Sequence, residues 1–462
     1  MSDLVFGIEY LDNLYSRALK LNPLIVIAGH PGSGKTTLAC TMCYANTVKG
    51  NKCVYITFYE DKEKLYDIMS GLGLDLRGAE SKGLFKFIKI PLSSSQLFGE
   101  TLMDSINDYS PNIVVIDSMT PILIYMKSHE ERRAFLQNFL YELPNRVKGA
   151  VVLVYEALNN YIEELNDVSF VADVVLYMRN VVEKNILTRV MEIRKMRGCD
   201  IKLGEIPYSI SGGKGIELYP KPFLEDIPSD SRELKLPCKI LERHLGHGHL
   251  GMSVYITHYA DNRPLEPLLI LTGLLVLNDL KCLYIVYNQP PKSVKEQIIR
   301  VLKKYGMSEE NAERVVDNHY TFISINPYLY SLESLIIKLM SLSKDAFNSD
   351  VVVFNDVSLV GMVYNSSNYL RAIYDNINYM RYLRKLTVRI GSYIDEEHYR
   401  LNSMVSDIIF KVIPDMKESS ARCELMIYLW RRGMEAALLR SEEIQICCEE
   451  IVRNINDNFL KS

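Results

Sequence analysis

The octapeptide Gly29-His30-Pro31-Gly32-Ser33-Gly34-Lys35-Thr36 fits G-x-x-x-x-G-K-[ST] at every position. Glycines at this spacing let successive backbone N–H groups turn inward around phosphate oxygens, a path that a Cβ would obstruct. The chemistry implied is the binding of a nucleoside triphosphate. Lys35 is expected to place its ammonium on the β- and γ-phosphates, and Thr36 to offer its hydroxyl to Mg2+. Thr37 continues the binding set into the first turn of a helix whose positive end faces the anion. Such a site also needs an acid at the end of a neighbouring strand. The segment "PNIVVIDSMTP" supplies one, four apolar residues (Ile113–Ile116) followed by Asp117. Its carboxylate would hold the metal, usually through water. The competing role for Asp117 is to cap the next helix.

The flanking residues supply the elements this chemistry requires. Leu24–Ala28 reads as a buried strand and "KTTLACTMCYANTVK" as a helix without internal Gly or Pro. "CVYITF" (Cys53–Phe58) is a second strand, followed by a charged helix from Asp61. "LFKFIKI" (Leu84–Ile90) is a third, with a helix over Gln96–Asp108 behind it. "AVVLVY" (Ala150–Tyr155) and "DVVLYM" (Asp173–Met178) follow, and "LTRVMEIRKMRG" alternates like a hairpin that adds antiparallel strands at an edge. Strands alternating with helices specify an α/β fold with a mostly parallel sheet.

In order and spacing, "GIEYLD", "GHPGSGKTTLA", "VYITFYED", "IVVIDSMTP", "VVLVYEA" and "EIRKMRGCDIKLGEIPYSI" resemble the KaiC-like ATPases of the RecA-type fold, over residues 5 to about 218. The resemblance implies ATP as ligand. It places the family's K-x-R pair on Lys195 and Arg197, which reach into the site of a neighbouring subunit and contact its γ-phosphate. A homo-oligomer follows, with a hexameric ring favoured. One position departs from the family. Two glutamates usually follow the second strand, the first resembling the RecA catalytic base, whereas here Tyr59 precedes Glu60. A phenol is a poor proton acceptor at neutral pH, and Glu60 faces the site only if the chain bends at the strand end. Slow hydrolysis is therefore expected, with Lys35, Glu60, Asp117, Lys195 and Arg197 as the catalytic set.

The second half of the chain reads as a faded copy of the first. Laying Val54 on Leu283 gives an offset of 229 residues, which puts His258 where Gly29 stands and Pro264 where Lys35 stands. No glycine, lysine or Ser/Thr of the loop survives in "HYADNRPL" (His258–Leu265). Asn355 falls at Asp117, and Trp430 and Arg432 fall at Lys195 and Arg197. The expectation is two RecA-like P-loop domains in tandem, mostly parallel sheets flanked by helices, the second degenerate and structural or regulatory. The boundaries are 1–219 for the ATP-binding domain, 220–237 for a proline-rich linker and 238–462 for the second domain. A helix from about Cys448 ends the chain, and autophosphorylation is not expected of a half that lacks the cradle.

A net charge of −4, with 48% hydrophobic and 24% charged residues, gives no general pull toward nucleic acid or anionic lipid. The segment "EALNNYIEELNDVSF" carries acids and no base where a DNA-binding loop would lie. A recombinase-like single-strand DNA-binding role is thus a secondary reading, as is a non-hydrolysing ATP-bound scaffold. The start has no signal-like pattern, and the most apolar run, Leu268–Leu277, is far short of a bilayer span. A cytoplasmic location follows, with an unidentified protein partner and no membrane insertion. The nine cysteines lack metal-binding spacing and are read as small buried side chains in a reducing compartment.

Overall fold

The structure, a computed structural model, describes residues 3–90, 95–126, 128–157, 168–183, 186–220, 232–261, 263–330, 335–336, 338–339, 342, 349–364, 366–415 and 424–459. The chain divides into two compact units, Met1–Pro220 and Lys221–Ser462.

The N-terminal unit is built on β1 (Leu24–Gly29), β2 (Cys53–Thr57), β3 (Phe85–Lys89), β4 (Ile113–Asp117), β5 (Ala150–Glu156), β6 (Val174–Glu183), β7 (Ile186–Met196), β8 (Glu205–Ser211) and β9 (Gly215–Leu218). They form one sheet in the order β3-β2-β4-β5-β1-β6-β7-β8-β9. The first six in that order run parallel and the last three add on antiparallel, as the alternation of the "LTRVMEIRKMRG" stretch predicts. Every residue of β1 is buried, because this central strand is covered on both faces. Ile25 and Ile27 join one core, with the helix Lys35–Val48. Leu24, Val26 and Ala28 join the other.

The C-terminal unit opens with a two-stranded ribbon, β10 (Glu233–Leu234) with β11 (Gly248–His249). Its main sheet comprises β12 (Ser253–His258), β13 (Cys282–Val286), β14 (Tyr320–Ser324), β15 (Val351–Asn355), β16 (Leu386–Ser392), β17 (Ile408–Asp415), β18 (Glu424–Arg431) and β19 (Ala437–Leu439). Their order, β14-β13-β15-β16-β12-β17-β18-β19, repeats the first sheet strand for strand as far as β8. Register repeats as well. Thr57 pairs with Asp117, and 229 residues on Val286 pairs with Asn355. Asp173 Oδ2 accepts the N–H of Leu24, and Asp407 Oδ2 accepts that of Ser253. The two units are tandem RecA-like folds.

Three details differ from the sequence reading. The last part of the stretch read as linker, Glu233–Leu234, is a strand of the second unit. The terminal helix begins at Ser441 rather than near Cys448 and runs to Phe459, with Glu442 and Glu443 suited to its positive first turn. Four cysteines are paired, Cys43 with Cys53 and Cys238 with Cys447. Tertiary packing unites the second pair across 209 residues, and local spacing holds no sign of that.

A P-loop candidate site

The loop between β1 and the helix Lys35–Val48 can follow its path only as glycine at two points. A Cβ on Gly29 would lie 1.9 Å from the Met178 carbonyl oxygen of β6, and one on Gly34, at φ +96°, 2.4 Å from Ile210 Cδ1 of β8. Neighbouring strands brace the loop. His30 N–H donates to Met178 O at 3.0 Å, Asn180 Nδ2 to Pro31 O at 3.1 Å, and the Tyr208 hydroxyl to Ser33 O. Inside the loop, Ser33 Oγ and Lys35 Nζ both donate to the His30 carbonyl, at 2.8 and 2.9 Å. The His30 ring meets Tyr177 edge-on, and the Arg194 guanidinium lies 3.8 Å from the centroid of that tyrosine.

Lys35 is 7% exposed, and burial lowers its pKa against the pull of Glu156 and then Asp117. Asp117, at the end of β4, accepts from Thr36 Oγ1 at 2.7 Å and from the Tyr55 hydroxyl at 2.6 Å, both on Oδ2. Burial raises its pKa, while those two hydroxyls and Lys35 favour its anionic form. Thr37 is buried in the first helical turn. The strand that leads to Glu60 stops at Thr57, and the chain bends at Phe58 and Tyr59. Tyr59 consequently points to solvent, 66% exposed. Glu60 is half-buried, its pKa raised by burial and by the negative charge of Asp117.

Lys195 and Arg197 do not join this group within their own unit. Lys195 pairs with Val175, three residues before Met178 on β6, roughly 10 Å down the strand from the loop. Its ammonium donates to the carbonyls of Ser169 and Phe170 at 3.0 and 3.2 Å. Arg197 bonds Asp173 at 2.7 Å. Four further residues adjoin the site without having been singled out in the sequence: Tyr55, Glu156 and Tyr208, which lie within the segments quoted above, and Asn180. Tyr55 had one usable sign, a phenol hydroxyl in the middle of a buried, mostly apolar strand.

The equivalent place in the second unit has different chemistry. The helix Glu266–Asn278 starts beyond Pro264, and its first residue, Glu266, is buried against Lys304 at 2.5 Å. Asp356, next to Asn355, accepts from Ser358 N at 3.0 Å and from Ser392 N and Oγ at 3.2 and 3.1 Å. A buried carboxylate thus sits near the strand ends, where the first unit has its lysine and amide cradle. Trp430 pairs with Ile409 as Lys195 does with Val175, and the N–H of Arg432 reaches Asp407 O as that of Arg197 reaches Asp173 O.

A glycine loop, lysine, threonine and strand-end aspartate on this sheet order define a P-loop protein of RecA type. Residues 5–222, most of the N-terminal unit, match the family model described as "ATPase: KaiC". The circadian clock protein KaiC3 of Synechocystis sp. is 26% identical over 357 residues, 71% of this chain and 68% of that protein. The circadian clock oscillator protein KaiC of Parathermosynechococcus lividus is 28% identical over 231 residues, 46% of this chain and 42% of its own. That of Synechococcus elongatus is 26% identical over 229 residues, 46% and 43% respectively. The chain therefore spans under half the length of the latter two relatives. Among the described residues, no helix is long and apolar enough to cross a membrane.

Proposed function

We propose that the N-terminal unit binds ATP with Mg2+ and hydrolyses it slowly, and that the nucleotide state switches an oligomer in which the C-terminal unit serves as a docking platform. The observation that carries this reading is the convergence of Thr36 and Tyr55 on one oxygen of Asp117, beside Lys35 and an amide loop that a Cβ would block. The residues present fit the group. Mg2+ is commonly held by one or two carboxylates together with substrate phosphates, and Thr36 and Asp117 are the pair available. When bound, the ion supplies charge neutralisation on the phosphates.

The chain's own residues have separable roles in this reading. Lys35 would leave the His30 carbonyl for phosphate oxygens, and the amides of Gly32, Ser33 and Gly34 would hold the others. Glu60, made more basic by burial and by Asp117, is the proton acceptor, with Glu156 a second carboxylate on the same rim. Lys195 and Arg197 lie down the strand from their own loop, which suits action on a neighbour in a ring. Titration calorimetry with Mg-ATP tests the reading. Micromolar binding by wild type and none by Lys35→Ala is expected, and no heat up to millimolar ATP would overturn it. Phosphate release above that of Glu60→Gln separates hydrolysis from the scaffold reading. The acidic segment behind the DNA-binding alternative lies mostly outside the described residues.

A further inference from the structure

The C-terminal unit contains a partly open cavity of about 70 Å3. Leu241 and Leu245 of the helix Lys239–Leu245 roof it, Ile270 and Leu274 of the helix Glu266–Asn278 form a side, and Val388 and Phe410 of the sheet form the floor. Apart from the imidazole of His249, every side chain that lines it is apolar.

Comparison of the two units explains the void. In the N-terminal unit the matching sheet face, with Ile25, Val152 and Leu176, shares a core with Phe6 and with the eleven-residue helix Glu9–Leu19, which buries Leu11, Tyr15, Ala18 and Leu19. The covering helix of the second unit has seven residues and buries only Leu241 and Leu245. Two leucines stand where the longer helix buries a tyrosine, two leucines and an alanine, and Leu234 stands near the place of Phe6, so the face is less fully covered.

Roofs of this kind normally settle into the gap, because an unfilled space forfeits dispersion contacts. Here the roof is pinned at both ends. Cys238, the N-cap residue of the short helix, is bonded to Cys447 of the terminal helix. At the other end, Arg431 Nη1 holds the carbonyls of Leu245 and His247. The void also meets solvent, since Leu236, Ile270 and Leu274 on its wall are only half-buried.

We propose that this cavity is a binding site for a hydrocarbon group, a short alkyl chain that enters between Leu236 and Leu274. A polar group placed there would lose its water and find no partner beyond His249. Apolar cavities that stay dry accept hydrocarbons of matching size. A roof fixed before the ligand arrives removes part of the ordering cost of binding. The site uses no residue of the phosphate loop and stands independently of the nucleotide reading.

The test uses the full chain, with 1-butanol as the ligand and methyl NMR as the readout. Methyl signals of Leu241, Leu274 and Val388 should shift on one saturable curve, with no competition from Mg-ATP. Leu274→Phe, which narrows the mouth, should weaken binding at least tenfold; Leu236→Phe serves the same purpose if that variant loses its cooperative melt. Absence of saturable shifts in the wild type would overturn the proposal, and so would equal binding by a folded, filled variant.

Discussion

Tyr55 gives its hydroxyl proton to Asp117 Oδ2 at 2.6 Å, on the same oxygen that Thr36 reaches at 2.7 Å. At the matching strand positions of the second unit, Asn355 Nδ2 donates to the Tyr284 hydroxyl at 2.9 Å. The contact survives the loss of the carboxylate with its direction reversed, which identifies it as a feature of the fold on which the first unit has placed a strand-end acid. Hydrogen bonds to a charged group are worth about 1.5–3 kcal/mol. Tyr55→Phe is accordingly expected to raise the Mg2+ concentration needed for half-maximal nucleotide binding by roughly tenfold or more. Binding in EDTA should stay the same. An unchanged Mg2+ requirement would remove Tyr55 from the site.

This pair also marks what the sequence could and could not reveal. The loop, Lys35, Thr36 and Asp117 were legible because phosphate chemistry demands fixed residue types at fixed short spacing. The tandem repeat was legible because the apolar strand runs recur in the same order at similar spacing. Tyr55, Asn180 and Tyr208 were not, because each acts across the sheet on a backbone carbonyl or a carboxylate that only tertiary pairing brings near. The bend that turns Glu60 toward Asp117 was hidden for a related reason: strand alternation places Glu60 on the far face until the strand is known to stop at Thr57. The disulfide between Cys238 and Cys447 and the pinned roof beside it depend on contacts 209 residues apart.

Lys35 is buried and donates to the loop's own His30 carbonyl, while the other bonds that brace the loop involve Ser33, Met178, Asn180 and Tyr208, so its removal takes away the cation and leaves those braces in place. Ligand present at about 100 times its Kd stabilises a protein by about 2.7 kcal/mol. Thermal melting of wild type should rise by several degrees on addition of Mg-ATP at that excess. Lys35→Ala should melt near the ligand-free wild type and show no rise. A preserved rise in the variant would place the nucleotide elsewhere.

The carboxyls of Glu60 and Asp117 share a burial that favours their protonated forms, and each raises the other's pKa or is raised by a neighbouring acid. A carboxyl whose folded pKa exceeds its unfolded one contributes stability while protonated, and that contribution is lost as pH rises through the folded value. The ligand-free protein should therefore gain stability from these two groups on mild acidification. Hydrolysis should move the other way, since Glu60 must be ionised to accept a proton. Phosphate release is expected to fall as pH drops through a pKa above the usual glutamate range, and Glu60→Gln should give a low rate without that inflection. An unaltered acidic limb in the variant would assign the titration to another group.

Lys195 and Arg197 make the sharpest demand on assembly. Their side chains bond Ser169 O, Phe170 O and Asp173 within their own unit, about 10 Å of strand away from their own loop. Cations that stabilise charge on a transferring phosphoryl group must touch it, so the proposed role of these two requires a loop from a second copy. A chain carrying Lys35→Ala keeps its own cations but has no working loop; a chain carrying Lys195→Ala with Arg197→Ala keeps its loop but offers no cations. Each alone should release phosphate at least tenfold more slowly than wild type. Mixed in equal amounts and allowed to exchange subunits, they should recover a substantial fraction of the lost rate, because some interfaces then pair an intact loop with intact cations. The recovery should vanish on dilution below the assembly threshold seen by light scattering. A mixture no faster than the mean of its components would show that the two residues do not work across an interface.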